Sequence, residues 1–385
     1  MTTLARPALV FHADWGSEKS KRWCARATLG ADGRYTASGP DPVGNPSSLL
    51  RSLRDEAGEL KTIFAGFDFP IGVPAHFAER AGITRFRDFL PLLGSGIWKD
   101  FYSVCDQPEE ISAYRPFYPN GRYKGRLLED LLCGHGVSSR QPLLRQCERA
   151  SDGHLEASCL FWTLGGKQVG KAALIGWREV LVRAVQEDLV RIWPFDGNIE
   201  FLLQSGSIVV AETYPAEYYK WFAGDRPRKK TDTESRKRFG PHLLEWAHGH
   251  GVTVERRLEL AIGDGFPKGK DDAFDAVVGL FGILQICLGE RVLYEPKDVG
   301  VLELEGWILG RRSRHVEQAP IYYSASTDPD LRDWLGWASE SREVPSFVRA
   351  VAEAAFLADS ADYALLRPAL LELRRRRPFL PQIPA

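Results

Sequence analysis

With 385 residues, 44% hydrophobic and 26% charged side chains and a formal net charge of −1, the chain has the composition of a folded protein, long enough for one large domain plus an appendage or for two domains. Its near-neutral charge offers no global attraction to nucleic acid, so any such partner would be held by local patches. The six cysteines form no CxxC pair, which argues against a structural zinc module and a secreted disulfide framework and for a reducing cytoplasm. The opening apolar run is too short for a signal peptide, and no long uncharged apolar run follows, so no membrane role is expected.

PALVFHADWG (7–16) predicts a buried strand that carries Asp14 to its end. A carboxylate at that point has to be paired, hydrogen-bonded or metal-bound, unless it caps a turn at Trp15 and Gly16. Residues 20–37 predict a strand, a turn between Gly30 and Gly33, and a third strand. SSLLRSLRDEAGEL (47–60) predicts an amphipathic helix with Ser47 at its start. TIFAGFDFPIGVP (62–74) predicts a fourth strand that ends in a second acid, Asp68.

Residues of about 75–205 read as a long insert, with helical stretches at 75–81, 127–133 and 172–190 and a connection at 109–126 longer than linkage requires. SIVVAETYP (207–215) predicts another buried strand, with a third acid, Glu212, followed by a helix opening at Pro215. After a basic segment (226–240) and the helix HLLEWAHGHG comes a strongly apolar helix, 271–288, with Asp271, Asp272 and Asp275 near its start. EGWILG (305–310) closes the first domain, expected over 1–310. Residues 311–385 are expected to form a C-terminal helical appendage that packs on the main domain or on a partner chain. There the helical spacing runs through Leu331, Trp334, Leu335 and Ala338, then Phe347, Val351, Ala354 and Ala355.

Acids in a first helical turn are explained by the helix dipole or an N-cap. That does not explain Asp14, Asp68 and Glu212 at the ends of apolar strands. Clustered carboxylates without His or Cys partners are hard oxygen donors suited to Mg²⁺ or Mn²⁺, and two such ions support phosphodiester hydrolysis. The motifs FAGFDFPIGVP, VAETYPAEYY, KDDAFDAVVGL and EGWILG resemble, in order and spacing, those of the predicted-nuclease family catalogued as domain of unknown function 429. The DDAFDA helix also resembles the closing helix of Holliday-junction resolvases. The resemblance, over roughly residues 7–310, implies a ribonuclease H-like α/β fold, a mixed sheet flanked by helices, with a metal site, and the likeness to the resolvases implies Asp272 and Asp275 as metal ligands. Together with the carboxylate pattern this gives Asp14 and Asp68 as the principal ligands expected, with Asp272, Asp275 and Glu212 completing the catalytic set.

Other signals compete. Gly165, Gly170 and Lys171 match part of a phosphate-binding loop, but Ala172 stands where a hydroxyl residue is needed. Lys167 or Lys171 holding a substrate phosphate and a purely structural turn both remain open. The loop YRPFYPNGRYKGR (114–126) joins Arg115, Arg122, Lys124 and Arg126 to four aromatics with no acid, a mixture suited to nucleic acid. Arg228, Lys229 and Lys230 form a second basic patch, and Arg374–Arg377 a third, for which helix-terminus charge is an alternative. The reading that unites these is a divalent-metal-dependent nuclease acting on DNA or RNA. The alternatives are a catalytically inactive nucleic-acid-binding protein on the same fold and an actin-like phosphotransferase.

Overall fold

The apolar run near the N-terminus forms β1 (Leu9–Asp14), whose six residues are all buried because it has a strand on each side and helices on both faces. The computed structural model describes residues 4–120, 127–150, 156–164, 169–223, 229–267, 269–291, 293–312, 331–340, 346–357, 366 and 370. The chain divides into two units, Met1–Ser313 and Arg314–Ala385.

The first unit is α/β. Its remaining strands are β2 (Trp23–Leu29), β3 (Tyr35–Pro42), β4 (Ile63–Asp68), β5 (Val190–Ile192), β6 (Ile208–Glu212) and β7 (Thr253–Val254). They form one mixed sheet in the order β5-β6-β4-β1-β2-β3-β7, in which β2 alone among the described strands runs against the others. β2 and β3 form the expected hairpin, closed by Gly30 N donating to Arg34 O at 2.8 Å. At Gly39 (φ 111°) a Cβ would lie 3.1 Å from the Ala25 Cα, so glycine lets β3 pass close to β2 beside the bulge near Cys24.

Alternation along the central strands separates two cores. Leu9, Phe11, Ala13, Ile63, Ala65, Phe67, Ile208 and Val210 face the helix Pro46–Ala57 and the insert. Val10, Phe64, Val209 and Ala211 face the helices Pro215–Ala223, Thr233–Gly249 and Asp271–Cys287. By the period of two, Asp14 and Asp68 belong to the second face and Glu212 to the first.

Several elements differ from expectation. Helix Pro46–Ala57 is capped by Asn45, whose side chain accepts from Ser47 N at 3.1 Å, so the cap lies two residues before Ser47. The expected helix at 172–190 is Val169–Gly176, a wider turn over Trp177–Leu181, and Val182–Gln186. Asp188 then takes a left-handed conformation (φ 51°) and Val190 enters β5, an edge strand too short to show a period. The second half of the basic segment is helical from Thr233, because Asp232 caps that helix by accepting from Ser235 N at 3.0 Å. The closing helix is preceded by Lys270 rather than by an aspartate cap.

The second unit contains helices Arg332–Glu340 and Ser346–Leu357. Trp334, Leu335 and Ala338 are buried as expected, but among the described side chains of the second helix, which leave out Phe347, those buried are Val348, Ala352 and the expected Ala355. Val351 and Ala354 are exposed, so the apolar stripe is rotated from the one read in the sequence. Arg374–Arg377 lie outside the described residues. Among the described residues no helix is long and apolar enough to cross a membrane.

The closing helix Asp271–Cys287 is pressed against β1 at a polar contact. His12, fully buried, donates from Nδ1 to Ala276 O at 3.0 Å and accepts at Nε2 from Thr213 Oγ1 at 2.9 Å. Burial pushes its imidazole down to about 3, against the pull of the Ala276 bond, so it stays neutral and that tautomer is required. A Cβ at Gly279 would lie 2.1 Å from the His12 ring, and one at Gly282 would lie 2.3 Å from the Tyr218 ring. Gly279→Ala should therefore lower stability by about 1–3 kcal/mol in chemical denaturation, although alanine is the better helix former by about 1 kcal/mol. A stabilised variant would show that the helix does not sit this close.

Candidate functional site

Asp14 and Asp68 are the last residues of β1 and β4, and the parallel register sets them directly opposite each other. Neighbouring strands lie about 4.8 Å apart, and both residues have the parity that points to the closing helix. That helix brings Asp275, 3% exposed, and the half-buried Asp272 to the same place. His12 contributes to this placement, because its partner Ala276 follows Asp275 in the helix. Lys270 adds a second tie, its ammonium lying 4.1 Å over the Trp23 ring, and Trp23 is the residue paired with Asp14 in β2.

The electrostatics record this crowding. Burial pushes Asp14 well above the usual carboxylate range, and the charges of Asp68, Asp275 and Asp272 push it further. Asp68 is raised to about 7, first by burial and then by Asp275, and it hydrogen-bonds Asp14. Carboxyl groups set against each other in this way favour holding a proton over carrying two full charges. Asp272 is raised to about 6 by burial and by Asp271. Asp275 is bonded through both oxygens: Tyr219 donates its hydroxyl to Oδ1, and Lys230 Nζ approaches Oδ2 at 2.5 Å. Burial would lower Lys230, but the charges of Asp275, Asp14 and Asp68 outweigh it and raise its pKa.

Glu212 borders the same cavity and its charge adds to the rise of Asp68, but it is engaged elsewhere rather than free to join the aspartates, which corrects the expectation from the sequence. β6 is aligned so that Phe67, not Asp68, is level with Glu212, and one residue of offset turns a side chain to the opposite face. There Glu212 takes a two-pronged ion pair from the fully buried Arg145, with Nη1 to Oε2 and Nη2 to Oε1 both at 2.7 Å. Oε2 also accepts from Ile71 N at 2.7 Å. Arg145 further binds Glu148 Oε1 at 3.0 Å and Glu305 O at 3.1 Å. The glutamate thus fastens the insert to the sheet. Thr213, the next residue, takes the place on the acid face and binds His12.

A cavity of about 750 Å³ opens beside the acids. Asp68, Asp275 and Lys230 line one part, Trp15 and Tyr219 add aromatic surface, and Ser158 of the insert contributes another wall. Among the described residues no three His, Cys, Asp or Glu side chains stand as a ready-spaced metal-binding group. Asp14, Asp68, Asp272 and Asp275 are the donors that the fold collects, all of them oxygen, and they would hold a hard cation.

The basic residues are distributed differently from the sequence reading. Arg115 ties its own loop, donating to Val104 O at 2.9 Å and pairing with Glu110 at 3.0 Å, while Phe117 and Tyr118 are fully buried. These two aromatics are core, not stacking surface. Arg122, Lys124, Arg126, Arg228 and Lys167 lie outside the described residues. Lys229 is exposed and Lys171 is half-buried on the helix Val169–Gly176. A Cβ at Gly170 would lie 2.5 Å from Leu160 O, so that glycine has a packing reason. The contacts of Lys230, Tyr219, Arg145 and His12 were not anticipated. Only His12 left a signal, as the lone polar residue within a buried strand.

No family model matches the chain, and neither a curated protein nor a solved structure is similar enough to match.

Two outcomes follow from these charges. Because the native state holds Asp68 protonated up to about pH 7 and the unfolded chain releases that proton near 3.9, the native state binds the extra proton between those values. Stability of the metal-free protein should therefore fall as pH rises through that window. Asp68→Asn should flatten the fall and raise stability at pH 8 by on the order of 1–2 kcal/mol, read from denaturation at a series of pH values. Conversely, Arg145→Met, which strands the buried Glu212 and Glu148, should cost about 3–5 kcal/mol. An unperturbed melting curve for that variant would remove Arg145 from the scaffold.

Proposed function

We propose that the chain is a divalent-metal-dependent phosphodiesterase, a nuclease acting on DNA or RNA, built on a ribonuclease H-like domain. The observation that carries this reading is the level placement of Asp14 and Asp68 on adjacent parallel strands, with Asp275 brought to them by the closing helix. The strand order β3-β2-β1-β4-β6, with β2 alone reversed, is the arrangement that a ribonuclease H-like domain requires. Its similarity in motif order to domain of unknown function 429 points the same way.

The donor set fits Mg²⁺ or Mn²⁺. The aspartates offer carboxylate oxygens, the His12 imidazole beside them has both ring nitrogens engaged, and burial together with mutual repulsion lifts Asp14, Asp68 and Asp272. A group so short of positive charge favours a hard cation. When bound, such ions supply the charge that activates a water and stabilises the departing oxygen. Asp14 and Asp68 would be the principal ligands, with Asp272 and Asp275 completing the set. The chain's own contribution is to fix these oxygens on two strands and one helix and to admit the phosphate through the cavity lined by Lys21 and Lys230.

The test is cleavage of single- and double-stranded DNA and RNA with Mg²⁺ or Mn²⁺, beside titration calorimetry with Mn²⁺. Asp14→Asn and Asp68→Asn each keep packing while removing a ligand charge, and should reduce cleavage by at least about 10²-fold with melting preserved. Undiminished cleavage in both variants would overturn the reading.

A further inference from the structure

We infer that Lys230 is a resident counter-ion of the carboxylate group, holding Asp275 when no divalent ion is bound and releasing it when one binds. This rests on the metal-site reading above and concerns a residue that the sequence assigned to nucleic-acid contact. Its Nζ lies 2.5 Å from Asp275 Oδ2, within the field of Asp14 and Asp68. The other nearby lysine, Lys21, is paired at 3.0 Å with Glu18.

Two features separate this contact from a surface ion pair. The first is how the backbone is held. Arg236, fully buried, donates from Nη1 to Lys230 O at 2.5 Å, from Nε to Gly265 O at 2.8 Å, and from Nη2 to Phe266 O and Pro267 O at 3.2 and 3.1 Å. One guanidinium thus fastens the turn bearing the lysine to the turn that leads into the acid-bearing helix. The second is the freedom of the side chain. Lys230 is 50% exposed and Asp275 only 4%, so the stem lies towards solvent while the ammonium reaches inward. The head can withdraw into the adjoining cavity without disturbing the core, and a long flexible amine does so more readily than a planar guanidinium. A divalent ion at the acids places like charge beside the ammonium, and the repulsion drives that withdrawal. Lys230 would then stand in the cavity with its charge available to a substrate phosphate.

The experiment compares wild type, Lys230→Met and Lys230→Arg by Mn²⁺ calorimetry and by melting without metal. Removing the competing charge should tighten Mn²⁺ binding by roughly tenfold or more and lower the metal-free melting midpoint, while Lys230→Arg keeps that midpoint near wild type and binds Mn²⁺ no more tightly than wild type. A folded Lys230→Met that binds Mn²⁺ no better than wild type overturns the inference and leaves the metal site standing. Absence of Mn²⁺ binding in wild type and variant alike overturns both. Should Lys230→Met not fold, the wild-type protein decides the matter. Acetylation of Lys230 by an N-hydroxysuccinimide ester, followed by mass spectrometry, should speed up on saturation with Mg²⁺, and an unchanged rate overturns the inference.

Discussion

Two carboxylates held level at the ends of neighbouring parallel strands repel each other, and much of the surrounding structure answers to that repulsion. Asp14 and Asp68 cannot separate, because their strands are bonded in register along their whole length and have apolar residues on both sides. Asp14 cannot be solvated freely, because it is buried, and Asp68 reaches water only through the cavity it lines. The protein therefore meets the charge with a retained proton, with an ammonium at Asp275, and with a helix whose position depends on a neutral histidine. Burying like charges opposes folding, and the contacts just named are what the protein sets against that cost.

The opposite face of the sheet handles buried charge differently. Arg145 holds both Glu148 and Glu212 through short hydrogen bonds, and on the helix side Arg311 pairs with Glu217 at 3.2 Å. Such groups are rigid because each partner would be stranded without the other. The aspartates are gathered with one ammonium in contact, whereas Glu212 and Glu148 share a fully hydrogen-bonded guanidinium, and the change from one arrangement to the other falls at the end of β6. Acidic residues of similar appearance in sequence thus divide by their counter-charges into scaffold and site.

The elements and the paired acids were legible in the sequence because they rest on local pattern. Continuous apolar runs marked β1, β4 and β6, and the apolar 271–288 stretch marked the closing helix. The place of Glu212 was legible only in part. Asp68 stands two residues before Pro70, whereas Glu212 stands three before Pro215, and that single offset decides the face, yet its meaning depends on register, a property of two strands together. The partners of Arg145 lie 67 and 160 positions away, beyond anything that periodicity reports. β5 and β7 are stretches of three and two residues whose strand character comes from the neighbour they join.

The end of β6 also constrains how this architecture can be altered. Glu212 is fastened through Arg145 to the insert, while Thr213 is fastened through His12 to the helix that carries Asp275. Consecutive residues thus work as a rivet through the sheet, one head on each side. The insert is consequently no detachable lobe. A lineage that trimmed it would expose a bare buried carboxylate in the strand that also supports the acid-bearing helix, so the loss would have to be accompanied by a neutral residue at 212.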